Sequence, residues 1–385
     1  MKGNTMNNLQ PFITFLLGAA AATVFILFFV SSNAGERSFE ILALRNGTQR
    51  AEFSSEEEAA GNISVASSLE EVQVVANGTK LMAPKEEEQQ QQQDNKDDAA
   101  SSDEQELVGI LRAAAMDGDT VIMTSLNEAW AAPGSLLDLF LESFHVGEQI
   151  GHLLNHLVIV AVDPEALARC KSVHPYCYYL RVGDAGADFT KEKVFMSKDY
   201  LDMMWSRNRF QQKILELGYN FLFTDVDILW FRNPFRHISL FAHITFSSDL
   251  YRGNPDDLGN FPNGGFLYVK SSNRTIEFYK NWYLVRDRWP GANEQWVFNQ
   301  IKHNFSAEYG VNIQFIDTAI CSGFCSLGKD LNRICTVHAN CCVGLGNKLY
   351  DLRNLISDWK NYTALPWEEK MKGWFSWRVP GRCIH

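Results

Sequence analysis

No cysteine occurs before Cys170, and none of the eight cysteines forms a Cys-x-x-Cys pair. That spacing is the usual mark of a structural zinc site, so oxidised pairing is the favoured reading. Cys321, Cys325, Cys335, Cys341, Cys342 and Cys383 crowd the carboxyl-terminal part, and Cys170 with Cys177 stands apart as a separate pair. No internal repeat is present, and no basic surface either. The net charge is −11, yet residues 31–105 alone carry sixteen acids against six bases, which leaves the rest of the chain nearly neutral. The acidity therefore describes a tether, and nothing suggests nucleic-acid binding. Apolar side chains are scarce in the same segment, which holds Glu56-Glu57-Glu58, Glu86-Glu87-Glu88, the glutamine run 89–93 and Asp97-Asp98. Such a segment cannot bury a core and is expected to stay disordered.

One long apolar run is present. Residues 12–30 form nineteen mostly apolar positions, enough to cross a bilayer as a helix. Lys2 precedes the run and acids dominate after it, so residues 1–11 are expected to form a cytoplasmic tail. Ser32-Asn33-Ala34 offers a signal-peptidase site, but the run exceeds a usual signal-peptide core, which favours an uncleaved signal anchor. Its modest length suits the thinner membranes of the early secretory pathway. Six Asn-x-Ser/Thr sequons, at Asn46, Asn62, Asn77, Asn273, Asn304 and Asn361, and all eight cysteines follow it, as a lumenal location requires.

Residues 106–385 alternate between strand-like and helix-like pieces. Thr120–Ser125, Leu157–Val162 and Tyr176–Leu180 read as strands, with a helix over Ser135–His145 and another starting at Asp163-Pro164. Lys198–Leu217 reads as a long amphipathic helix, stopped by Gly218 and feeding a strand that ends at Asp225. Gly265–Val269, Val311–Ile316 and Ile334–Val337 read as later strands, with helices over Thr275–Val285 and Glu294–His303. The Gly- and Cys-rich stretch 317–332 is expected to be irregular. Alternation of this kind implies an α/β domain, a mostly parallel sheet with helices on both faces.

The most informative segment is Phe221–Trp230, a buried-strand pattern ending in Asp225-Val226-Asp227. Side chains at i and i+2 of an extended segment share a face, so the two carboxylates are expected to reach one point. Two adjacent acids repel, and a hard divalent cation, Mg²⁺ or Mn²⁺, removes that cost. Ligands in open α/β sheets collect at the carboxyl ends of strands, where this pair stands.

The segment Phe223-Thr-Asp-Val-Asp-Ile-Leu-Trp-Phe-Arg-Asn-Pro-Phe235 resembles the plant nucleotide-diphospho-sugar transferase family, glycosyltransferases of the GT-A type that include cell-wall xylosyl- and arabinosyltransferases. Val121-Ile-Met-Thr-Ser-Leu-Asn127, Phe261-Pro-Asn-Gly-Gly-Phe266, Asn293-Glu-Gln-Trp296 and Val337-His-Ala-Asn-Cys-Cys342 carry the likeness further, over about residues 106–385. It implies a GT-A-like, Rossmann-related sheet. It also implies His338 as third metal ligand beside Asp225 and Asp227, and Glu294 and Gln295 as the residues facing sugar and acceptor. Thr124, Ser125 and Asn127 offer small donors and acceptors for a nucleotide, or cap the following helix. Asn263-Gly264-Gly265 permits close backbone approach, which the resemblance sets near the donor sugar, or forms a tight turn. Gly344, Gly346 and Lys348 are expected in a flexible basic loop suited to a diphosphate. Lys198 and Arg207 are further phosphate candidates, with a solvated helix face as the plainer reading of either.

The combined expectation is a type II Golgi membrane glycosyltransferase on a disordered stem. It would use a nucleotide-diphosphate sugar and a glycan or glycoprotein acceptor, with partner transferases possible; the resemblance implies a uridine-linked pentose or hexose and transfer with retention. A non-catalytic transferase-like scaffold and a metal-dependent phosphoesterase are the alternatives.

Overall fold

The computed structural model describes residues 102–182, 190–191, 196–373 and 375–383. The expected tail, the apolar run and nearly all of the acidic stem lie outside the described residues, as do the sequons at Asn46, Asn62 and Asn77. Among the described residues no helix is long and apolar enough to cross a membrane. The chain is already helical at residue 102, ahead of the boundary expected at 106. This helix, α1 (102–114), is tied to the domain by Glu104, which pairs with Lys213 at 2.6 Å.

The strands are β1 (Thr120–Leu126), β2 (Leu157–Ala161), β3 (Cys177–Tyr179), β4 (Asn220–Thr224), β5 (Ile228–Trp230), β6 (Ile244–Leu250), β7 (Phe261–Val269), β8 (Ile313–Ile316), β9 (Cys321–Gly323) and β10 (Thr336–His338). Seven make one sheet in the order β3-β2-β1-β4-β7-β6-β8, and β5-β10-β9 make a small second sheet. Within the large sheet β7 alone runs against its neighbours, antiparallel to β4 and β6, while the other pairings are parallel. The beginning of β7 therefore lies beside the carboxyl ends of β4 and β6.

The larger helices are α2 (Leu136–Val146), α3 (Pro164–Val173), α4 (Lys198–Glu216), α5 (Asn273–Leu284), α6 (Glu294–Tyr309) and α7 (Leu345–Thr363). They cover both faces, as expected. Strand alternation divides the core between them: Leu222 of β4 joins the cluster that includes α2, α3 and α7, whereas Phe221 and Phe223 join the cluster with α1, α4, α5 and α6. Asp163 caps α3 ahead of Pro164, accepting from the Ala166 amide at 2.7 Å.

Several elements differ from expectation. Asn263, Gly264 and Gly265 lie inside β7, so no tight turn exists there. The stretch expected to be irregular contains β9. Gly346 and Lys348 belong to the first turns of α7, not to a loop, because Gly344 takes a φ of +90° and starts the helix. Trp230 fixes β5 in place: it is fully buried, stacks on Phe144 at 4.8 Å, and its Nε1 donates to Thr224 Oγ1 at 3.1 Å. Emptying a site of this size costs about 3–5 kcal/mol, so the short strand behind the Asp225–Asp227 turn is firmly held.

Candidate active site

Strand β4 stops at Thr224, and Asp225-Val226-Asp227 turns into β5, with the Ile228 amide donating to Asp225 O at 3.1 Å. The two aspartates do converge, but through this turn and not through strand alternation. β10 pairs antiparallel with β5, setting His338 opposite Ile228, and the Ala339 amide donates to Asp227 O at 3.1 Å. One ligand atom from each of Asp225, Asp227 and His338 falls within 4.8 Å of the others. His338 Nε2 is 3.2 Å from Asp227 Oδ1 and 3.8 Å from Asp225 Oδ2.

The remaining oxygens face cations. Arg207 donates to Asp225 Oδ1 at 3.0 Å, and Lys348 donates to Asp227 Oδ2 at 2.6 Å. Burial pushes the Asp227 carboxyl up, but Lys348 and His338 outweigh it and hold the group well below the usual carboxylate range. Burial pulls the His338 imidazole down, yet Asp227 and then Asp225 prevail and leave it above its ordinary value. Lys348 reaches the site because α7 begins just after a loop tied by the Cys325–Cys341 and Cys342–Cys383 disulfides.

The donor set suits a divalent cation that accepts oxygen and imidazole ligands, such as Mg²⁺ or Mn²⁺. Gly265 supports the fit. A Cβ there would lie 2.5 Å from His338 Cε1 and 2.6 Å from Asp225 Oδ2, against two of the three ligands. The Asp225 amide donates to Gly265 O at 2.7 Å, which draws β7 against the turn.

Arg207 is neither a solvated residue nor a free phosphate ligand. It is buried, lies over the Phe223 ring at 4.4 Å, and its second nitrogen donates to Glu294 Oε1 at 2.6 Å. Glu294 Oε2 is buried with no hydrogen-bond partner among the described residues. Gln295, next along α6, accepts from the Gly264 amide at 2.6 Å through Oε1. Glu294, Gln295, Asn263, Gly264 and Lys348 are thus gathered around Asp225, Asp227 and His338.

Asp249, absent from the sequence-based site, is a centre of this network. It lies at a β-bulge of β6, between Ser248 and Leu250 in the pairing with β7. It accepts from Asn263 Nδ2 at 2.8 Å, Asn340 Nδ2 at 2.9 Å and Gln295 Nε2 at 3.4 Å. The signal available was a strand pattern, Ile244–Ser248, ending in an acid. Thr124 and Ser125 lie at the carboxyl end of β1, where the strand order reverses between β2 and β4. Asn127 caps a one-turn helix, accepting from the Trp130 amide at 3.3 Å, so its capping role holds. Lys198 stays out of the network: it pairs with Asp202 at 2.7 Å with 84 % of its side chain exposed.

The disulfides are Cys170–Cys177, Cys325–Cys341 and Cys342–Cys383. Oxidised pairing is the reading the sequence favours for the carboxyl-terminal cysteines, with no partners assigned, but Cys321 and Cys335 are free and buried, and burial pushes the Cys335 thiol up to about 11. The sequons at Asn273, Asn304 and Asn361 are exposed on helices.

An acidic pair and a histidine at the carboxyl edge of a mostly parallel sheet, flanked by arginine and lysine, define an enzyme built to hold a cation beside an anionic substrate. The chain belongs to the nucleotide-diphospho-sugar transferase family, whose sequence profile matches residues 152–352, and it is a glycosyltransferase. The Arabidopsis thaliana protein At4g15970 is 44 % identical over 283 residues, covering 73 % of this chain and 74 % of that one. Arabinosyltransferase RRA1 of the same plant is 27 % identical over 169 residues, 38 % of this chain and 40 % of its own. Among solved structures, mouse xyloside xylosyltransferase 1 aligns over 58 % of this chain and 98 % of its own, at 12 % identity and a TM-score of 0.36.

Proposed function

We propose that this chain transfers a pentose or hexose, with retention of configuration, from a UDP-linked donor to a cell-wall glycan or glycoprotein. The observation that carries the reading is the convergence of Asp225 Oδ2, Asp227 Oδ1 and His338 Nε2, with Lys348 and Arg207 on the outer oxygens. The similarity to a protein named an arabinosyltransferase supports a pentose. Asp225, Asp227 and His338 would hold Mn²⁺ or Mg²⁺, which when bound neutralises charge developing on the departing diphosphate. Lys348 contributes a fixed positive charge at the same edge. The orphaned Glu294 Oε2 is an acceptor that a sugar hydroxyl would satisfy once the site opens to it, and Gln295 and Asn263 stand beside it on amides held by Asp249. Ser125 presents its hydroxyl for the nucleotide at the end of β1, whereas Thr124 is fully buried.

The reading extends to location: a signal anchor at 12–30, an acidic stem, and a catalytic domain in the Golgi lumen, which three disulfides support. Retention of the full chain in carbonate-washed Golgi membranes, with a protease-protected carboxyl terminus, is the expected result; secretion of a shortened chain would overturn it. For the chemistry, purified protein is incubated with a panel of UDP-sugars, with and without Mn²⁺. Metal-dependent UDP release from at least one donor is expected, reduced at least about a hundredfold in Asp227→Ala. Release that ignores both metal and the substitution would exclude this site.

A further inference from the structure

We propose that Asn361 carries an N-linked glycan whose innermost sugars lie in a groove between α2 and α7; the inference rests on the lumenal location read above. α7 presents Arg353, Ser357 and Asn361 at i, i+4 and i+8, a single row along its surface, with Ile356 and Lys360 beside them. α2 presents Leu139 and Glu142, three residues apart and so on one face. Together these side chains line a groove of about 330 Å³, within the size range of small-ligand sites. Asn361 is exposed in the wall of that groove and opens the sequon Asn361-Tyr362-Thr363. Tyr362 is buried against Trp359, which turns Asn361 beside it outward.

The lining suits a sugar. Leu139 and Ile356 form an apolar floor for the C–H face of a pyranose ring, and Glu142, Arg353, Ser357 and Lys360 bring polar groups for its hydroxyls. Two contacts join the helices across the groove: Arg353 donates to Gly134 O at 2.7 Å, and Lys360 to Glu142 Oε1 at 2.6 Å. These use one nitrogen of Arg353 and one oxygen of Glu142, and both side chains have further capacity for hydrogen bonds. From residue 353 to 360 the helix rises about 10 Å, the length of about two linked pyranose rings. Attachment joins Asn361 Nδ2 to the anomeric carbon of the innermost N-acetylglucosamine of a lipid-diphosphate oligosaccharide. The bond from that carbon to the diphosphate breaks, the diphosphate leaves with its electron pair, and the amide gives up one proton. About 20 Å of helix separates Lys348 from Asn361, so the sugars stand clear of Asp225 and Asp227 while bracing the helix that carries Lys348.

The test expresses the full chain in plant cells and maps its peptides by mass spectrometry. A glycan on Asn361 is expected; Thr363→Val, which removes the sequon hydroxyl, should abolish it, and Thr363→Ser should retain it. Occupation of the groove is read separately, by hydrogen–deuterium exchange across residues 136–146 and 353–360 in the wild type and in Asn361→Gln. Asn361 is exposed, so the fold should survive this substitution, as circular dichroism would verify. Loss of the glycan is expected to speed exchange in both segments at least about tenfold and to lower the melting temperature. Asn273→Gln, on another helix, should leave those segments unchanged. An unmodified Asn361 in a chain whose other sequons carry glycan would overturn the proposal alone. So would a glycan on Asn361 whose loss alters neither exchange nor melting, since its sugars would then extend into solvent. If no sequon is modified, the lumenal location fails and this inference falls with it.

Discussion

Asp225 and Glu294 share one guanidinium, that of Arg207, which is 9 % exposed and cannot be replaced by water. Removing it leaves the buried Glu294 without a counter-charge and the part-buried Asp225 with His338 alone, and breaking a buried pair of this kind costs up to about 3–5 kcal/mol. Arg207→Ala should therefore lower the melting temperature sharply even without metal or donor, as calorimetry would show. A melt matching the wild type would mean that solvent reaches Glu294 as well as Asp225. At this scale the sequence was readable where a residue's role shows in its neighbours. Asp225 and Asp227 announce themselves as two acids closing an apolar run, and His338 by its place in a resemblance. Asp249 had no such mark. Its amide partners stand 14, 46 and 91 residues away, and only the folded chain gathers them.

Among the elements, most strands and helices of five or more residues were legible because that length suffices to show a period, but β6, α1 and α7 were not read from the sequence. β5 and β9 have three residues each, too few to display alternation, and the glycines at the head of α7 led to a loop being expected where the helix stands. Helix α6 carries a consequence of its own. Lys302 donates at 2.6 Å to both Asn260 O and Asn299 Oδ1, and burial pushes its ammonium down to about 8. The unfolded chain returns this lysine to about 10.4 and so binds more protons between those values. Its contribution to stability must therefore rise with pH from about 8 to about 10.4. Urea unfolding across that window, wild type against Lys302→Met, should show the extra rise only in the wild type. Parallel curves would show that the lysine is solvated.

For the domain as a whole, the carboxyl-terminal tail is held to the loop before α7 by Cys342–Cys383, which closes 41 residues. Loop-closure entropy for that length is worth about 3–4 kcal/mol. Replacing both cysteines with serine should shift the denaturant midpoint accordingly, while replacing Cys321 with serine leaves all three bridges in place and tests only a buried thiol. A midpoint unmoved in the double variant would show that packing of Val379 and its neighbours already fixes the tail.

Asp227 meets Lys348 across 121 residues of chain, and His338 also follows it by a long interval. A ribosome adding about 5–20 residues each second needs about 6–24 s to cover that distance. Throughout that time β4 and its turn can already have left the ribosome while the edge of β5 that β10 will occupy has no partner. The two cations and the imidazole do not arrive together either, since Arg207 precedes the turn and Lys348 follows it. Birth order thus makes the metal-holding edge a late seam of the domain, followed only by the rest of α7 and the tail bridged by Cys342–Cys383, and the interval during which the edge of β5 stays open is set by translation speed.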